Sequence, residues 1–199
     1  MFPRRDVEDA ASRDSTPRDP SACERLMRRL RPAVEGLFGA LYRLEVTGRE
    51  NVPVDGPVVV VANHIGVIDG PLAASLVPRP AHFLVKRAYF VGPLGTLLTR
   101  LGQIHVTQRS ADREAMTAAR GVLAAGGVVG VFPEGTRGDG SVQAVHQGAA
   151  FLALGADAQI VPVRLVGTAG RTRGRWPRLR SRLQVTFGPA FRLGDAEAV

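Results

Sequence analysis

The sequence is 199 residues long, one domain's worth, and its 45% hydrophobic fraction is enough for a sizeable core and too high for a disordered chain. Lys and Arg number 26 against 18 Asp and Glu, a net charge of +8 that favours anions: phosphate groups, anionic lipid or nucleic acid. The single cysteine, Cys23, excludes an internal disulfide and any multi-cysteine metal site, and no run approaches the ~18 apolar residues a membrane-spanning helix needs.

In chain order, residues 1–20 are polar, charged and proline-containing; they read as a disordered tail without the apolar core of a secretory leader. Residues 21–47 read as an amphipathic helix. Leu26, Leu30, Val34, Leu37 and Leu41 form a helical stripe that Met27, Phe38 and Tyr42 widen, with Arg25, Arg28, Arg29 and Arg43 on the other face. Such a helix either packs on its own domain or lies in a membrane interface with its arginines on lipid phosphates; the interfacial reading is the expectation here. Pro32 should start a new helix or kink this one.

Residues 48–199 read as the main domain. Apolar strand candidates appear at Val58–Ala62, His82–Val85, Ile104–Thr107, Val128–Phe132, Ile160–Leu165 and Leu183–Phe187. Helical or irregular stretches separate them, the clearest being SADREAMTAARGVLAAGG, with Ser110 as its expected N-cap and Gly126 as its stop. Strand and helix in alternation predict a single α/β domain with a central mixed, mostly parallel sheet flanked by helices. Ligands in such sheets bind at the carboxyl ends of strands.

Three stretches there can carry chemistry. In VVVVANHIGVIDG, His64 follows a buried strand and Asp69 stands five residues on, with Gly66 able to turn the chain between them. A carboxylate on one ring nitrogen would fix the tautomer and favour the imidazolium formed when the other takes a proton. No serine or cysteine stands nearby in an activating context, so the hydroxyl to be deprotonated would be a substrate's. The alternative is a histidine that merely caps a helix. In VFPEGTRGDG, Pro133 ends a strand, Gly135 permits a tight turn with free N–H groups, Thr136 adds a hydroxyl and Arg137 a planar fork suited to phosphate. Glu134 would hold Arg137 or the loop; an ordinary loop with a surface ion pair is the alternative. Lys86 follows a third strand and is a second candidate phosphate ligand, ahead of Leu94, Leu97, Leu98 and Leu101, which are core or the wall of an apolar slot. Pro162 interrupts the strand IVPVRL and suggests an edge, a bulge or a wall against which something lies.

Together these residues resemble the glycerolipid acyltransferases, the family of the lysophosphatidate acyltransferases. NHIGVID matches the family's N-H-x-x-x-x-D block, Lys86 to Arg109 its second block, FPEGTR its third and VPV (Val161–Val163) its fourth, in the family's order. The resemblance implies His64 as general base and Asp69 as its orienting partner. Lys86 and Arg137 would bind the substrate phosphate, Gly135 and Thr136 would complete its cradle with Glu134 in the same phosphate site, and Pro133, Val161, Pro162 and Val163 would line the acyl or substrate pocket. It implies transfer of a fatty acyl group from acyl-CoA or acyl carrier protein to lysophosphatidate, with no cofactor and no metal, at an anionic membrane surface. The expected location is the cytoplasmic face, peripheral or monotopic. Members often carry Ser two residues after the histidine, where Gly66 stands here. Two other readings are another lyso-lipid or glycolipid acceptor, and a non-catalytic basic module acting through RTRGRWPRLRSR (Arg171–Arg182). A lone tryptophan gives no stacking platform, so nucleic acid is not an expected partner.

Overall fold

A computed structural model describes residues 20–107, 112–133, 142–170 and 176–194. The described strands are β1 (Arg43–Thr47), β2 (Val58–Ala62), β3 (Ala81–Lys86), β4 (Ile104–Val106), β5 (Val128–Val131), β6 (Gln159–Val166) and β7 (Arg182–Phe187). The helices are α1 (Pro20–Leu41), α2 (Asp69–Leu76), α3 (Gly92–Arg100), α4 (Arg113–Ala124) and α5 (Val142–Gly155). The strands form one sheet in the order β1-β7-β6-β2-β5-β3-β4. Every neighbouring pair is parallel except β6 with β7. This is the expected α/β architecture with a mostly parallel mixed sheet.

Both faces of the sheet are covered, which is why β2 reads as an unbroken valine run. Val58 and Val60 point into a core closed by α1 and α2, with Leu72, Leu76, Phe83 and Val161. Val59 points the other way, into a core closed by α4 and α5, with Leu123, Val129, Leu152 and Ile160. These three valines have no solvent exposure, and each such burial contributes about 1.5–3 kcal/mol.

The N-terminal segment departs from expectation in two ways. The helix runs through Pro32 as one element and stops at Leu41, short of residue 47; Arg43–Thr47 instead pair in parallel with β7. The periodicity changes there: Leu44 and Val46 alternate inward while Arg43, Glu45 and Thr47 stay exposed, a strand pattern that a helical reading absorbs. The apolar stripe of α1 also lies on the domain itself. Phe38 and Tyr42 are buried in the core, and Val34 and Leu41 pack against it. Arg31 on the same helix donates to the carbonyls of Val77 and Pro78, just past the end of α2. From Val34 to Tyr42 the stripe is therefore packed on the domain, and of its residues only Leu37 is exposed.

Helix α4 is capped by Asp112, whose carboxylate accepts from Ala115 N at 3.1 Å and from both the backbone N–H and the hydroxyl of Thr107 at 2.7 Å. One side chain thus caps the helix and ties it to the exit of β4. Ser110, the expected cap, lies outside the described residues. Gly126 ends the segment as expected, at φ 75°.

Candidate active site

The site begins where β2 ends. After Ala62 the side chain of Asn63 takes over the ladder: its Nδ2 donates to Leu165 O at 2.9 Å and its Oδ1 accepts from Leu165 N at 2.7 Å. The amide mimics a peptide unit, so β6 stays paired while the main chain turns away with His64. Asp69 opens α2 and closes that turn. Its Oδ2 accepts from His64 Nδ1 at 2.9 Å, from Ile65 N at 2.6 Å and from Gly66 N at 2.7 Å. The expected pair is therefore formed, by a carboxylate that also fastens the loop between its members.

Asp69 is 0% exposed. Burial pushes its carboxyl up, but hydrogen bonding from His64 and from the Gly66 and Ile65 N–H groups, with the Thr168 hydroxyl close by, outweighs this and holds it below the usual carboxylate range. Its place in the first turn of α2 acts in the same direction. An ionised carboxylate only accepts, so His64 Nδ1 carries a proton, and in the neutral imidazole Nε2 then presents its lone pair. The His64 side chain is 23% exposed, and Nε2 has no hydrogen-bond partner among the described residues. Such an arrangement can accept a proton at Nε2.

The ring is held from one side by Phe132, with centroids 4.6 Å apart, and Phe132 leans on Phe83 at 5.5 Å. Phe83 has room because Gly130 lies beside it: a Cβ there would come 2.3 Å from the Phe83 ring. Three strands thereby contribute to the setting of one imidazole.

Lys86 stands exposed at the end of β3. It is the only lysine in a sequence whose Lys and Arg together number 26. Pro133 is buried just past β5, and β5 lies between β2 and β3, so Pro133 stands between the strand ends that carry His64 and Lys86. Glu134, Gly135, Thr136 and Arg137 lie outside the described residues. Val161 and Val163 are core residues facing α1 and α2, whereas Pro162 points the other way and is exposed. Contrary to the edge reading, β6 is a central strand. Pro162 is accommodated because pairing with β7 begins only at Val163, and beyond it the Pro162 carbonyl accepts from Gly188 N at 2.8 Å. Among the described residues no group of three or more His, Cys, Asp or Glu is placed to hold a metal ion. The sequence reading gave no role to Asn63, Phe132 or Thr168.

Residues 43–166 match the family model described as Acyltransferase, which is more than half of the chain. The chain belongs to this acyltransferase family. A 1-acyl-sn-glycerol-3-phosphate acyltransferase of Chlamydomonas reinhardtii is 36% identical over 132 residues, 64% of this chain and 40% of that protein. A protein of the same name from Borreliella burgdorferi is 31% identical over 136 residues, 66% of this chain and 54% of that protein. The chain thus spans about half the length of these acyltransferase relatives. The crystal structure of the 1-acyl-sn-glycerophosphate (LPA) acyltransferase PlsC from Thermotoga maritima superposes with a TM-score of 0.70 at 25% identity, covering 94% of this chain and 76% of that one. The fold of this family member is therefore that of a solved acyltransferase, and the His64–Asp69 pair lies within the matched region.

Proposed function

We propose that this protein is a membrane-surface acyltransferase that moves a fatty acyl group from a thioester of coenzyme A or acyl carrier protein to the free hydroxyl of lysophosphatidate, giving phosphatidate. The observation that carries the reading is the 2.9 Å contact of His64 Nδ1 with Asp69, which leaves Nε2 as an oriented base at the carboxyl edge of the sheet. In the reaction Nε2 takes the proton of the acceptor hydroxyl as its oxygen attacks the thioester carbon. The new C–O bond forms, the C–S bond breaks, and the proton passes to the departing thiolate. Such base catalysis contributes about 10²–10⁴ in rate. The relatives named for this acceptor support its choice, and Lys86 with Arg137 would take its phosphate.

The proposed place of action is the cytoplasmic surface of a membrane, with peripheral attachment. No helix among the described residues is long and apolar enough to cross one. Because β7 runs antiparallel to β6, the starts of β7 and β1 share an edge with the ends of β2, β5 and β3. On one flank of that edge Trp176 and Leu179 are exposed beside Arg178 and Arg180; on the other Tyr89, Val91 and Leu94 are exposed beside Lys86 and Arg87. Between Asp69 and Asp112 the sequence has no carboxylate side chain. Apolar tips among cations suit an anionic bilayer, and His64 lies between the two flanks.

The test is thiol release by purified protein with acyl-CoA and acyl carrier protein donors over a panel of lyso-acceptors. Wild type should prefer lysophosphatidate, and His64→Ala should lose nearly all transfer while staying folded. A folded His64→Ala protein with wild-type kcat overturns the reading.

A further inference from the structure

The buried carboxylate of Asp69 is served unevenly. Its Oδ2 accepts three hydrogen bonds, whereas its Oδ1 is buried with none, and the Thr168 hydroxyl is likewise buried without a partner. Thr168 is 0% exposed. It follows Gly167, at φ 84°, just past the end of β6. Its backbone lies directly against the turn that Asp69 closes, since a Cβ on Gly66 would come 2.1 Å from Thr168 O and 3.1 Å from Thr168 Cβ. Two orphaned buried polar atoms, one a pure acceptor and the other able to donate, therefore belong to residues packed on the same turn. Unpaired polar atoms this deep are uncommon and call for a cause. The hydroxyl stops short of hydrogen-bond geometry, yet it lies near enough to help hold the carboxyl below its usual range.

We propose that Thr168 is a positioning residue for the His64–Asp69 pair: its hydroxyl donates to Asp69 Oδ1 and so keeps Oδ2 on the imidazole Nδ1–H. The proposal rests on the base reading above. All three donors seen on the carboxylate meet Oδ2, so Oδ1 is held by none. A donor on Oδ1 from the exit of β6 would fix the carboxylate plane from its second oxygen as well. The strap also explains why a small backbone at position 66 matters: it lets the chain after β6 approach the turn. Orientation of this kind acts on the transition state, where the imidazolium forms, more than on substrate binding.

The experiment compares Thr168→Val, which keeps shape and removes the hydroxyl, with Thr168→Ser, which keeps the hydroxyl and removes a methyl. Thr168→Val should lower kcat about tenfold to a hundredfold with both KM values little changed. Thr168→Ser should stay within about threefold of wild type. In an Asp69→Asn background the Val substitution should cost little more, because the two losses report one interaction. A second readout is the NMR resonance of the His64 Nδ1–H proton. It should be far downfield in wild type and Thr168→Ser, and weakened or exchange-broadened in Thr168→Val. That measurement needs no acyl acceptor, so it judges the strap even if lysophosphatidate proves the wrong substrate. Wild-type kcat with an unaltered His64 resonance in a folded Thr168→Val protein overturns the proposal. So does the reverse pattern, in which Ser is impaired and Val is not, since that is the signature of packing alone.

Discussion

Gly66 and Thr168 are in backbone contact: no side chain fits on Gly66, because a Cβ would stand 2.1 Å from the Thr168 carbonyl oxygen. Gly66→Ala should therefore push the His64 turn away from β6. We expect a loss of about 1–3 kcal/mol in urea unfolding, as for other overpacked sites, and a larger proportional fall in kcat than in lysophosphatidate affinity. An alanine variant with unchanged stability and turnover would show that the turn moves freely. The glycine also accounts for a departure from the family pattern, since a serine at this position has no room beside Thr168.

The acid limb of stability follows from Asp69. Its folded carboxyl titrates below its unfolded value, which lies near 3.9, so its contribution is fully present above that value and is lost as pH falls through the folded one. Asp112 adds in the same window. Burial raises it, but the Thr107 backbone and side-chain hydrogen bonds, with Ala115 N–H, lower it further. The urea midpoint should be nearly flat in these two groups from pH 7 to about 5 and fall below about 4. In Asp69→Asn the fall should be shallower, though from a lower starting point. An identical acid slope in both proteins would remove Asp69 from the account.

The proposed phosphate role of Lys86 is read on the acceptor. Lys86→Ala should raise KM for lysophosphatidate about two- to fivefold, the modest effect of an exposed charge pairing, and Lys86→Arg should restore most of it. An uncharged acceptor should respond to neither substitution. Equal damage with both acceptors would make Lys86 a structural residue.

The two flanks of the His64 edge make the proposed bilayer contact testable. Leu94→Glu together with Trp176→Glu should release the protein from anionic vesicles in flotation assays without altering its thermal midpoint. Leu41→Glu, on the stripe of α1 packed against the core, should lower the midpoint instead. High salt should weaken binding in part, by screening the arginines and Lys86 but not the apolar contacts. Should the flank variants float as wild type does, the bilayer contacts another surface.

What could be read from sequence was whatever is local. The buried strands show as apolar runs, and His64 and Asp69 are legible because one turn of chain joins them. Strand β1 was hidden because Leu44 and Val46 continue a helical stripe, and only pairing with β7 decides the matter. The capping role of Asp112 was missed because Ser110 satisfies the same local rule, while the bonds from Thr107 cross from a strand. Thr168 carries no signal in its neighbourhood. Its meaning comes from the strand exit that brings it to the His64 turn.

The strand order has a practical corollary for anyone who would trim this protein. The family match covers 43–166, so it includes β1 but excludes β7. Yet β1 is joined to the sheet only through β7, which also supplies Leu183, Val185 and Phe187 to the core. A fragment cut to the recognised region would carry a strand with no neighbour, bare the second edge of β6, and lose α1, one of the two helices that roof Val58 and Val60. The matched region and the sheet it belongs to take different lengths of chain, and a fragment of the matched region should aggregate along its uncovered strands.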